Sequence, residues 1–586
     1  MKTVMAVSLI SLLTGSVSAQ ESRTQDLRSM GGGDCRANIY NCASTPNPLP
    51  VPDTVWLEEM TWMDVRDALA AGKTTGIIPT GGIEPNGPWL ATGKHNYVLR
   101  ANCNAIARKL GDALCTPIIK LVPEGSIDPP GGHMRSPGTL SVRQATFEAV
   151  LTDVAHSLKM HGFRNIILIG DSGGNQSGQR SVAEALTDAW NEGPVVAHVP
   201  EYYDYASVER YMAYRGLETG HSDALHDDPF ITLNMFYADP ASIRYEERKA
   251  AGLATIDGVS LADRIQTLEL AREVVEFRAT HTASAIRAAI ANRGTLPTQR
   301  QFARTDGRQR QAPDPRSMGG GDCQANVYNC MNTPNPLPTA TTIWLEEMTW
   351  MDVRDGLRAG RTTAIIPTGG IEPNGPWLVT GKHNYVLQAN CEAIARDLER
   401  AVCAPILALV PEGQIEPPAG HMRSPGTLSL RQTTFKAVLT DVAQSLKMHG
   451  FTTIVFIGDS GGNQRGMAEV ADTLSTQWAG AATAIHIPEY YRGPPGSPDV
   501  LRELGITHQT QPSDGLHDNP TITLNMLLTD PSSVRWAERL QTRQATIDGV
   551  SIADLGRSLA LARRIVEARS RRTVDAIREH LASDVQ

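Results

Sequence analysis

Two loops of nearly identical sequence bring a carboxylate, an amide and an imidazole close together. The first reads GGIEPNGPWLATGKHN over residues 81–96, and the second repeats it 288 residues later. The three groups are Glu84, Asn86 and His95 in the first loop and Glu372, Asn374 and His383 in the second. A carboxylate with an imidazole suits zinc or manganese. The loops therefore predict a divalent metal site, with a purely structural loop as the alternative.

A glycine-rich motif, GDSGGN, also occurs twice, beginning at Gly170 and at Gly458. It resembles the sequence around the nucleophile of trypsin-like serine proteases, but the chain has no histidine motif such as AAHC. Here the motif ends a predicted strand and opens a helix, where backbone N–H groups favour an oxyanion. In the first copy Gly173 offers a turn that could bind an oxyanion, Ser172 is an alternative nucleophile, and Asp171 could help to bind metal. The counterparts in the second copy are Gly461, Ser460 and Asp459.

Two later segments add imidazole and guanidinium groups. GHMRSPGTLS places a histidine and an arginine before a helix, and we assign both to substrate binding because an arginine suits a carboxylate. The segment LHD supplies a second histidine, which suits general acid–base catalysis or the activation of a serine. These residues are His133, Arg135 and His226, repeated as His421, Arg423 and His517.

Short apolar strands alternate with helices around these motifs. In the first half of the chain the pattern predicts strands at 74–79, 117–122, 165–169 and 195–199, and helices at 97–110, 141–161 and 181–190. Continuous apolar strands that alternate with helices indicate a parallel sheet covered on both faces.

The candidate residues follow these strands closely. Glu84 follows the first strand, Glu124 and His133 the second, and Asp171 the third. In open α/β sheets ligands bind beyond the carboxyl ends of the strands. We therefore expect these polar groups to converge at one edge of the sheet.

The chain is a tandem duplication of one domain. Glu372 follows Glu84 by 288 residues and His517 follows His226 by 291, so the second copy gained three residues in between. We place copy one at residues 25–292 and copy two at 313–586. The polar stretch 293–312 lacks apolar periodicity and is expected to be an exposed linker.

Composition and the N-terminus limit the partners. The net charge is −9 and the isoelectric point about 5.9, with no basic stripe, so we expect no nucleic-acid partner. Residues 1–19 have the pattern of a cleaved signal peptide. The mature chain is therefore expected to be secreted or periplasmic, without a membrane anchor.

Eight cysteines agree with an oxidising compartment. Each copy repeats the spacings C-x6-C and C-x11-C. The simplest pairing is local, Cys35 with Cys42 and Cys103 with Cys115, and likewise in copy two. Zinc binding is the alternative, although neither spacing is that of common structural zinc sites.

Taken in order, these segments resemble the creatininase (creatinine amidohydrolase) family. The resemblance covers nearly all of both copies, and five segments carry it: the GGxExxGPxL loop at Gly81, PGTLS at Pro137, the helix ending in HGF at His161, the strand and turn at 166–175, and the segment at His226. It implies a three-layer α/β/α domain, a metal-dependent hydrolase of amide bonds, often two divalent ions, and frequent hexamers. Two fused copies then imply a trimer of chains that imitates a hexamer.

The chain departs from the family at several ligand positions. Asn86 replaces a histidine of the family's E-x-H-G loop, His95 replaces a bridging aspartate, and Ser172 stands where a metal-binding histidine is usual. Copy two carries the same changes. We therefore assign the metal to Glu84, His95 and Asp171, with their counterparts Glu372, His383 and Asp459, and assign Asn86 and Asn374 to substrate binding.

Three functions follow from this altered set. The first is a hydrolase of a small amide or related C–N bond that uses a single zinc or manganese ion. The second is an inactive protein that binds a small molecule in the retained pocket. The third is a metal-free serine hydrolase that uses Ser172 and Ser460.

Overall fold

The computed structural model describes residues 26, 28–31, 33–217, 225–294, 316–317, 323–495, 499–508 and 514–583. The expected signal peptide lies outside the described residues. The expected linker also lies outside them, except for its first two residues.

Copy one alternates strands and helices in the predicted manner. Its helices are α1 Trp62–Ala70, α2 Lys94–Leu110, α3 Gln144–Met160, α4 Asn175–Trp190, α5 Tyr205–Tyr214, α6 Pro229–Ala238, α7 Tyr245–Ala250 and α8 Arg264–Ala291. Its strands are β1 Thr75–Thr80, β2 Ala113–Cys115, β3 Asn165–Gly170, β4 Val195–His198, β5 Thr255–Ile256 and β6 Val259–Ser260.

Copy two repeats this order. Its helices are α9 Trp350–Arg358, α10 Lys382–Asp397, α11 Gln432–Met448, α12 Gln464–Trp478, α13 Glu489–Arg492, α14 Val500–Glu503, α15 Pro520–Thr529, α16 Trp536–Gln541 and α17 Leu555–Ser583. Its strands are β7 Thr363–Thr368, β8 Ala401–Cys403, β9 Thr453–Gly458, β10 Thr483–His486, β11 Thr546–Ile547 and β12 Val550–Ser551.

Each copy contains a four-stranded parallel sheet. The strand order is β2-β1-β3-β4 in copy one and β8-β7-β9-β10 in copy two. In copy one Thr75 of β1 pairs with Ala113 of β2 and with Asn165 of β3. Because all strands run the same way, their carboxyl ends open at a single edge, where ligands of open α/β sheets bind.

Helices cover both faces of the sheet. Ile78 and Leu168 point into a core that includes Phe147 of α3, whereas Ile77 and Ile167 point into a second core formed with α2 and α8. This alternation follows from the two-residue period of a strand. The predicted three-layer α/β/α fold, duplicated in tandem, is confirmed.

Several predicted elements differ in their bounds. Helix α4 begins at Asn175, six residues before the predicted start at 181, and α3 begins at Gln144, three residues after the predicted start at 141. The strand expected at 117–122 is reduced to a single bridge between Thr80 and Ile119, and the regular strand is β2. Pro117 and Pro123 lack the N–H groups that a longer ladder needs. Helix α2 starts at Lys94, three residues earlier than predicted, and this places Lys94 and His95 in its first turn.

All eight cysteines are paired locally. The disulfides join Cys35 to Cys42, Cys103 to Cys115, Cys323 to Cys330 and Cys391 to Cys403. The local pairing is confirmed, so these cysteines are not zinc ligands. Within the described residues, no helix is both long and apolar enough to cross a membrane.

The two copies pack closely on each other. One buried cluster contains Leu158 of α3 and Leu446 of α11 together with many residues of both copies. The loop before α2 docks on copy two, where Thr92 N–H donates to Met348 O at 2.7 Å, and Thr380 N–H of copy two donates to Met60 O at the same distance. Because these two hydrogen bonds are equivalent with the copies exchanged, the arrangement is close to that of a twofold dimer.

Candidate active site

The carboxyl edge of the sheet in copy one gathers the predicted side chains. Glu84 lies in the loop between β1 and α2, and His95 lies in the first turn of α2. The 3₁₀ turn Gly132–Arg135 carries His133, and Asp171 follows β3 directly. His226 precedes α6. These side chains meet at one edge of the sheet, as the sequence predicts.

Glu84 is the centre of the cluster. Its side chain is 3% exposed and its Oε1 lies 2.7 Å from Lys94 Nζ and 3.1 Å from His226 Nδ1. Its Oε2 lies 2.8 Å from His133 Nδ1. One buried carboxylate therefore holds an ammonium and two imidazoles.

His95 is held from behind by a carboxylate. Its Nδ1 lies 2.8 Å from Asp171 Oδ2, and Arg278 Nη2 lies 3.1 Å from Asp171 Oδ1. Its Nε2 lies 3.0 Å from Glu84 Oε1 but makes no hydrogen bond. A carboxylate on one ring nitrogen fixes the tautomer and direction of the other, as in many metal-binding histidines.

Glu124 forms the opposite wall. Ser172 Oγ donates to its Oε2 at 3.1 Å, and His133 Nδ1 lies 3.4 Å from the same oxygen. The other oxygen, Oε1, is buried and has no hydrogen-bond partner. Within the described contacts the serine thus meets a carboxylate, and the histidine–serine pair of a serine hydrolase is absent.

The backbone of His226 adopts an unusual left-handed conformation. His226 has φ of 58° and its counterpart His517 also has φ of 58°. Few residues other than glycine adopt this left-handed conformation, and it concentrates at functional sites. The conformation turns the imidazole Nδ1 toward Glu84 and toward Asn86 Oδ1, which lies 3.2 Å away.

The charges of the cluster shift its protonation. Burial alone would raise the pKa of Glu84, but Lys94 and the three histidines hold it well below its ordinary value. Burial would lower the pKa of His133, but Glu84 and Glu124 raise it to about 10. Burial, and then Lys94, lower the pKa of His226 to about 4. At pH 7 the site therefore contains a cationic His133 and a neutral His226.

The donor atoms form two groups that share Glu84. Glu84, His95 and Glu124 offer one carboxylate or imidazole atom each, and all three atoms lie within 4.8 Å of one another. Glu84, His133 and His226 form a second such group nearer the solvent. In the deeper group His95 Nε2 and Glu124 Oε1 are buried without a hydrogen-bond partner. Such unpaired donors fit a divalent cation, because a buried polar atom without a partner is costly.

Copy two reproduces the site. Lys382 Nζ lies 2.6 Å from Glu372 Oε1, His421 Nδ1 lies 2.8 Å from Glu372 Oε2, and His383 Nδ1 lies 2.8 Å from Asp459 Oδ2. Burial and Glu372 raise the pKa of Glu412, the counterpart of Glu124, to about 7. The two donor groups recur as Glu372, His383 and Glu412, and as Glu372, His421 and His517.

The remaining predicted residues lie around this centre. Asn86 is buried and donates through Nδ2 to Glu84 O at 2.9 Å and Ala91 O at 3.1 Å, so it shapes the loop. Arg135 and Gly173 are exposed. Asp171 lies behind His95 and belongs to neither donor group. The counterparts are Asn374, Arg423, Gly461 and Asp459, and Ser460 donates to Glu412 Oε2 at 3.1 Å.

The sequence-based assignment missed three groups in each copy. Lys94 lies beside His95 in the repeated loop, where the repetition of GKHN could have signalled it. Glu124 was placed at the sheet edge but given no role. Arg278 lies on α8, more than 100 residues from its partner Asp171, and no local pattern points to it. Long-range pairing of this kind depends on the fold.

The fold and this site define a three-layer α/β protein with a cluster of candidate metal donors at the strand ends. The family profile described as creatinine amidohydrolase matches residues 58–296 and 346–573, one match in each copy. The chain belongs to the creatininase family. Creatinine amidohydrolase of Pseudomonas putida is 28% identical over 116 residues, which span 20% of this chain and 44% of that relative.

Solved structures give similar matches. A crystal structure of creatinine amidohydrolase (creatininase) is 20% identical, with a TM-score of 0.30, and the match covers 42% of this chain and 100% of that one. A structure titled creatininase Mn is 20% identical over the same shares, with a TM-score of 0.29. A mutant creatininase of Zn–Zn type is 21% identical over the same shares, with a TM-score of 0.30.

Proposed function

We propose that each copy hydrolyses a small amide or a related C–N bond and that one divalent cation, zinc or manganese, supports the reaction. The observation that carries the proposal is the deeper donor group, in which His95 Nε2 lies 3.0 Å from Glu84 Oε1 and Glu124 Oε1 is buried without a hydrogen-bond partner. The ion would be held by these three residues. When bound, it would supply Lewis-acid polarisation of a carbonyl.

Lys94 supports one ion and argues against two. Its ammonium lies 2.7 Å from Glu84 Oε1, and both side chains are 3% exposed. A buried carboxylate that is already paired has less negative charge to offer a cation. Lys94 therefore supplies, as a fixed ammonium, the positive charge beside Glu84 that a second ion would supply in a two-ion site.

The histidines divide the proton chemistry between them. His226 Nδ1 lies 3.1 Å from Glu84 Oε1 in the donor group nearer the solvent, and we assign His226 proton transfer to or from the substrate as general base or acid. His133, with its pKa raised to about 10, stays cationic and suits a substrate carboxylate or a developing oxyanion. His517 and His421 take these roles in copy two.

The other predicted residues act around the substrate. Asp171 and Asp459 hold His95 and His383 in place and are assigned to positioning, although the sequence suggested them as ligands. The turn at Gly173 and Gly461 is exposed at the helix N-terminus and suits an oxyanion. Arg135 and Arg423 are exposed near the histidine turns and suit a substrate carboxylate. Asn86 and Asn374 are proposed to bind substrate less directly, by fixing His226 and His517.

Metal content tests the proposal first. Inductively coupled plasma mass spectrometry of the desalted chain should find about one zinc or manganese ion per copy. Glu84→Gln should remove about one ion, and Glu84→Gln with Glu372→Gln should remove both and abolish amide turnover. Glu184→Gln, an exposed change on α4, is the matched control. Failure to bind either metal at any concentration would rule out this form of the proposal.

An inactive binding protein is the second candidate, and Lys94 is the observation that favours it. An ammonium at 2.7 Å from Glu84 neutralises the site without any metal. In that case the double glutamine variant should match the parent in metal content and in turnover of a panel of small amides. The serine hydrolase alternative predicts labelling of Ser172 and Ser460 by a fluorophosphonate, and unlabelled folded protein would exclude it.

Location and assembly complete the proposal. Four disulfides agree with an oxidising compartment, so we propose a secreted or periplasmic protein. We also propose that three chains assemble into a ring of six copies and act on a small-molecule substrate, without a nucleic-acid partner.

A further inference from the structure

The N-terminal segment of copy one, residues 28–31 and 33–50, lies against the site of copy two. A disulfide between Cys35 and Cys42 closes this segment. Gly31 N–H donates to Ser424 Oγ at 3.0 Å, and Asn38 Nδ2 donates to Asp514 Oδ2 at 2.9 Å. Ser424 ends the turn that carries His421, and Asp514 lies three residues before His517. The segment therefore contacts both loops that bring histidines to the second site.

The contact at Gly31 is as close as a backbone allows. A methyl group added to Gly31 would lie 1.9 Å from Gly420 O and 2.6 Å from His421 Cα. No side chain fits at such separations, so glycine permits the two backbones to touch. The turn that carries His421 is thus packed directly on the other copy.

An aromatic contact holds the second loop. Tyr40 and Leu49 pack with Trp377 and Leu516, and the rings of Tyr40 and Trp377 meet edge to face with centroids 5.6 Å apart. Leu516 is the residue before His517, and Trp377 follows the loop whose Asn374 Oδ1 lies 3.1 Å from His517 Nδ1. Movement of this contact would move the imidazole.

The same arrangement exists with the copies exchanged. Tyr328 of copy two meets Trp89 of copy one edge to face, with centroids 5.5 Å apart. Leu337 packs into the cluster that contains Trp89 and Leu225, the residue before His226. Arg244 Nη2 donates to Pro338 O at 2.6 Å, just as Arg535 Nη2 donates to Pro50 O at 2.6 Å.

We propose that both sites are composite, because the N-terminal segment of each copy forms a wall of the other copy's site. Tyr40 and Leu49 are positioning residues for His517, and Tyr328 and Leu337 are positioning residues for His226. The inference rests on the proposed function only for what these histidines do. A consequence is that neither copy holds a complete site unless a second copy packs against it.

Crossed histidine labelling tests the proposal. Diethyl pyrocarbonate would be applied to the full chain, and the modification rates of His226 and His517 would be read by peptide mass spectrometry. Tyr40→Ala should change the rate at His517 about fivefold and leave His226 unaltered, and Tyr328→Ala should do the reverse. Tyr40→Phe should restore the parent rate because the contact is made by the ring.

Matched controls come from the same segments. Ile39 is 62% exposed and Val327 is 57% exposed, so Ile39→Ala and Val327→Ala should change neither rate. If Tyr40→Ala fails to fold, Gly31→Ala offers a second change that should act at the His421 turn of copy two. An effect confined to the variant's own copy, an equal effect at both sites, or no effect would each overturn the proposal.

A kinetic version separates this proposal from the proposed function. In a chain in which Glu84→Gln silences copy one, Tyr40→Ala should change KM or kcat of the remaining site, whereas Tyr328→Ala should change neither. If the chain hydrolyses no amide but Tyr40→Ala still changes the labelling rate of His517, the composite site is supported and the hydrolase proposal is wrong. If the chain hydrolyses an amide but each tyrosine variant alters labelling and kinetics only in its own copy, the composite-site proposal is wrong and the hydrolase proposal is unaffected.

Discussion

At the scale of single residues, the site is defined by what surrounds Glu84. Lys94 lies 2.7 Å from its Oε1, and His133 lies 2.8 Å from its Oε2. The positive groups lower the pKa of Glu84, so the carboxylate stays ionised despite its burial. The charges gathered around Glu84 are therefore paired with one another within the cluster.

Removal of the lysine should strengthen metal binding. Lys94→Met with Lys382→Met takes a positive charge away from each shared carboxylate, so the affinity for zinc should rise by at least about tenfold. Titration calorimetry of the metal-free protein measures this affinity. Lys109→Met, near the C-terminal end of α2 where the lysine pairs with Glu276 and not with Glu84, should leave it unchanged. A weaker affinity in the double variant would show that Lys94 organises the ligands instead of competing with the ion.

Removal of the aspartate behind His95 should weaken metal binding. Asp171→Asn with Asp459→Asn removes the carboxylate that lies 2.8 Å from each imidazole Nδ1. Loss of such outer partners typically costs about 10–100-fold in metal affinity. Competition with a chelator measures the loss of metal affinity. Asp188→Asn, which changes an exposed residue of α4, is the control. An unchanged affinity would mean that His95 is not a ligand.

At the scale of elements, helices α3 and α11 join the copies through histidines at their C-terminal ends. His161 Nε2 lies 2.8 Å from Thr427 O, and His449 Nε2 lies 2.8 Å from Thr139 O. Burial lowers the pKa of each of these histidines to about 4, so each is neutral at pH 7 and donates to the carbonyl.

These two histidines should make the molecule acid-sensitive. A histidine with a lowered pKa binds its proton more readily when unfolded, so its stabilising effect is complete above about pH 6.5 and is lost as the pH falls toward 4. The loss should reach roughly 3 kcal/mol per histidine. Denaturant unfolding at pH 4.5 and pH 7 measures it. In His161→Gln with His449→Gln, whose amides donate without titrating, the difference between the two pH values should shrink.

At the scale of the whole molecule, the chain is a dimer whose two halves are covalently joined. Many interface contacts recur with the copies exchanged, as in Arg143 with Asp441 and Arg431 with Asp153, whereas Lys120 with Glu346 has no counterpart because residue 408 is an alanine. Buried apolar residues of both copies form one core. Such a self-complementary interface does not require the linker, because the contacts alone define it.

A chain made of residues 313–586 alone should therefore form a homodimer. The surface that α11 presents to α3 would otherwise be exposed as a large apolar patch, which soluble monomers avoid. Light scattering during size-exclusion chromatography should give about twice the mass of the half-chain. A stable monomer of the half-chain would show that the shared core contributes little.

The full chain should form a trimer. Its mass is 63.3 kDa, so the same measurement should give about three times that value, less the signal peptide. A monomeric full chain would contradict the hexamer-like assembly but would not affect the composite sites, because both partners of those contacts lie in one chain.

The sequence alone determined the duplication, the α/β/α class and the family. Repeated motifs need no structure to be recognised, and the two-residue and helical periods of apolar residues follow from backbone geometry. Local cysteine pairing was also readable, because each pair is separated by 7 or 12 residues. The sheet-edge rule then placed Glu84, His133 and Asp171 near one another.

Only the tertiary structure decided which of these groups touch. Asp171 proved to lie behind His95, Lys94 proved to hold Glu84, and Arg278 and Glu124 entered from distant parts of the chain. The contact of Gly31 with the His421 turn joins residues about 390 positions apart, and no local pattern encodes it. Motif spacing constrains positions along a strand or helix, whereas side-chain direction and packing between copies follow from the close fit of the whole interior.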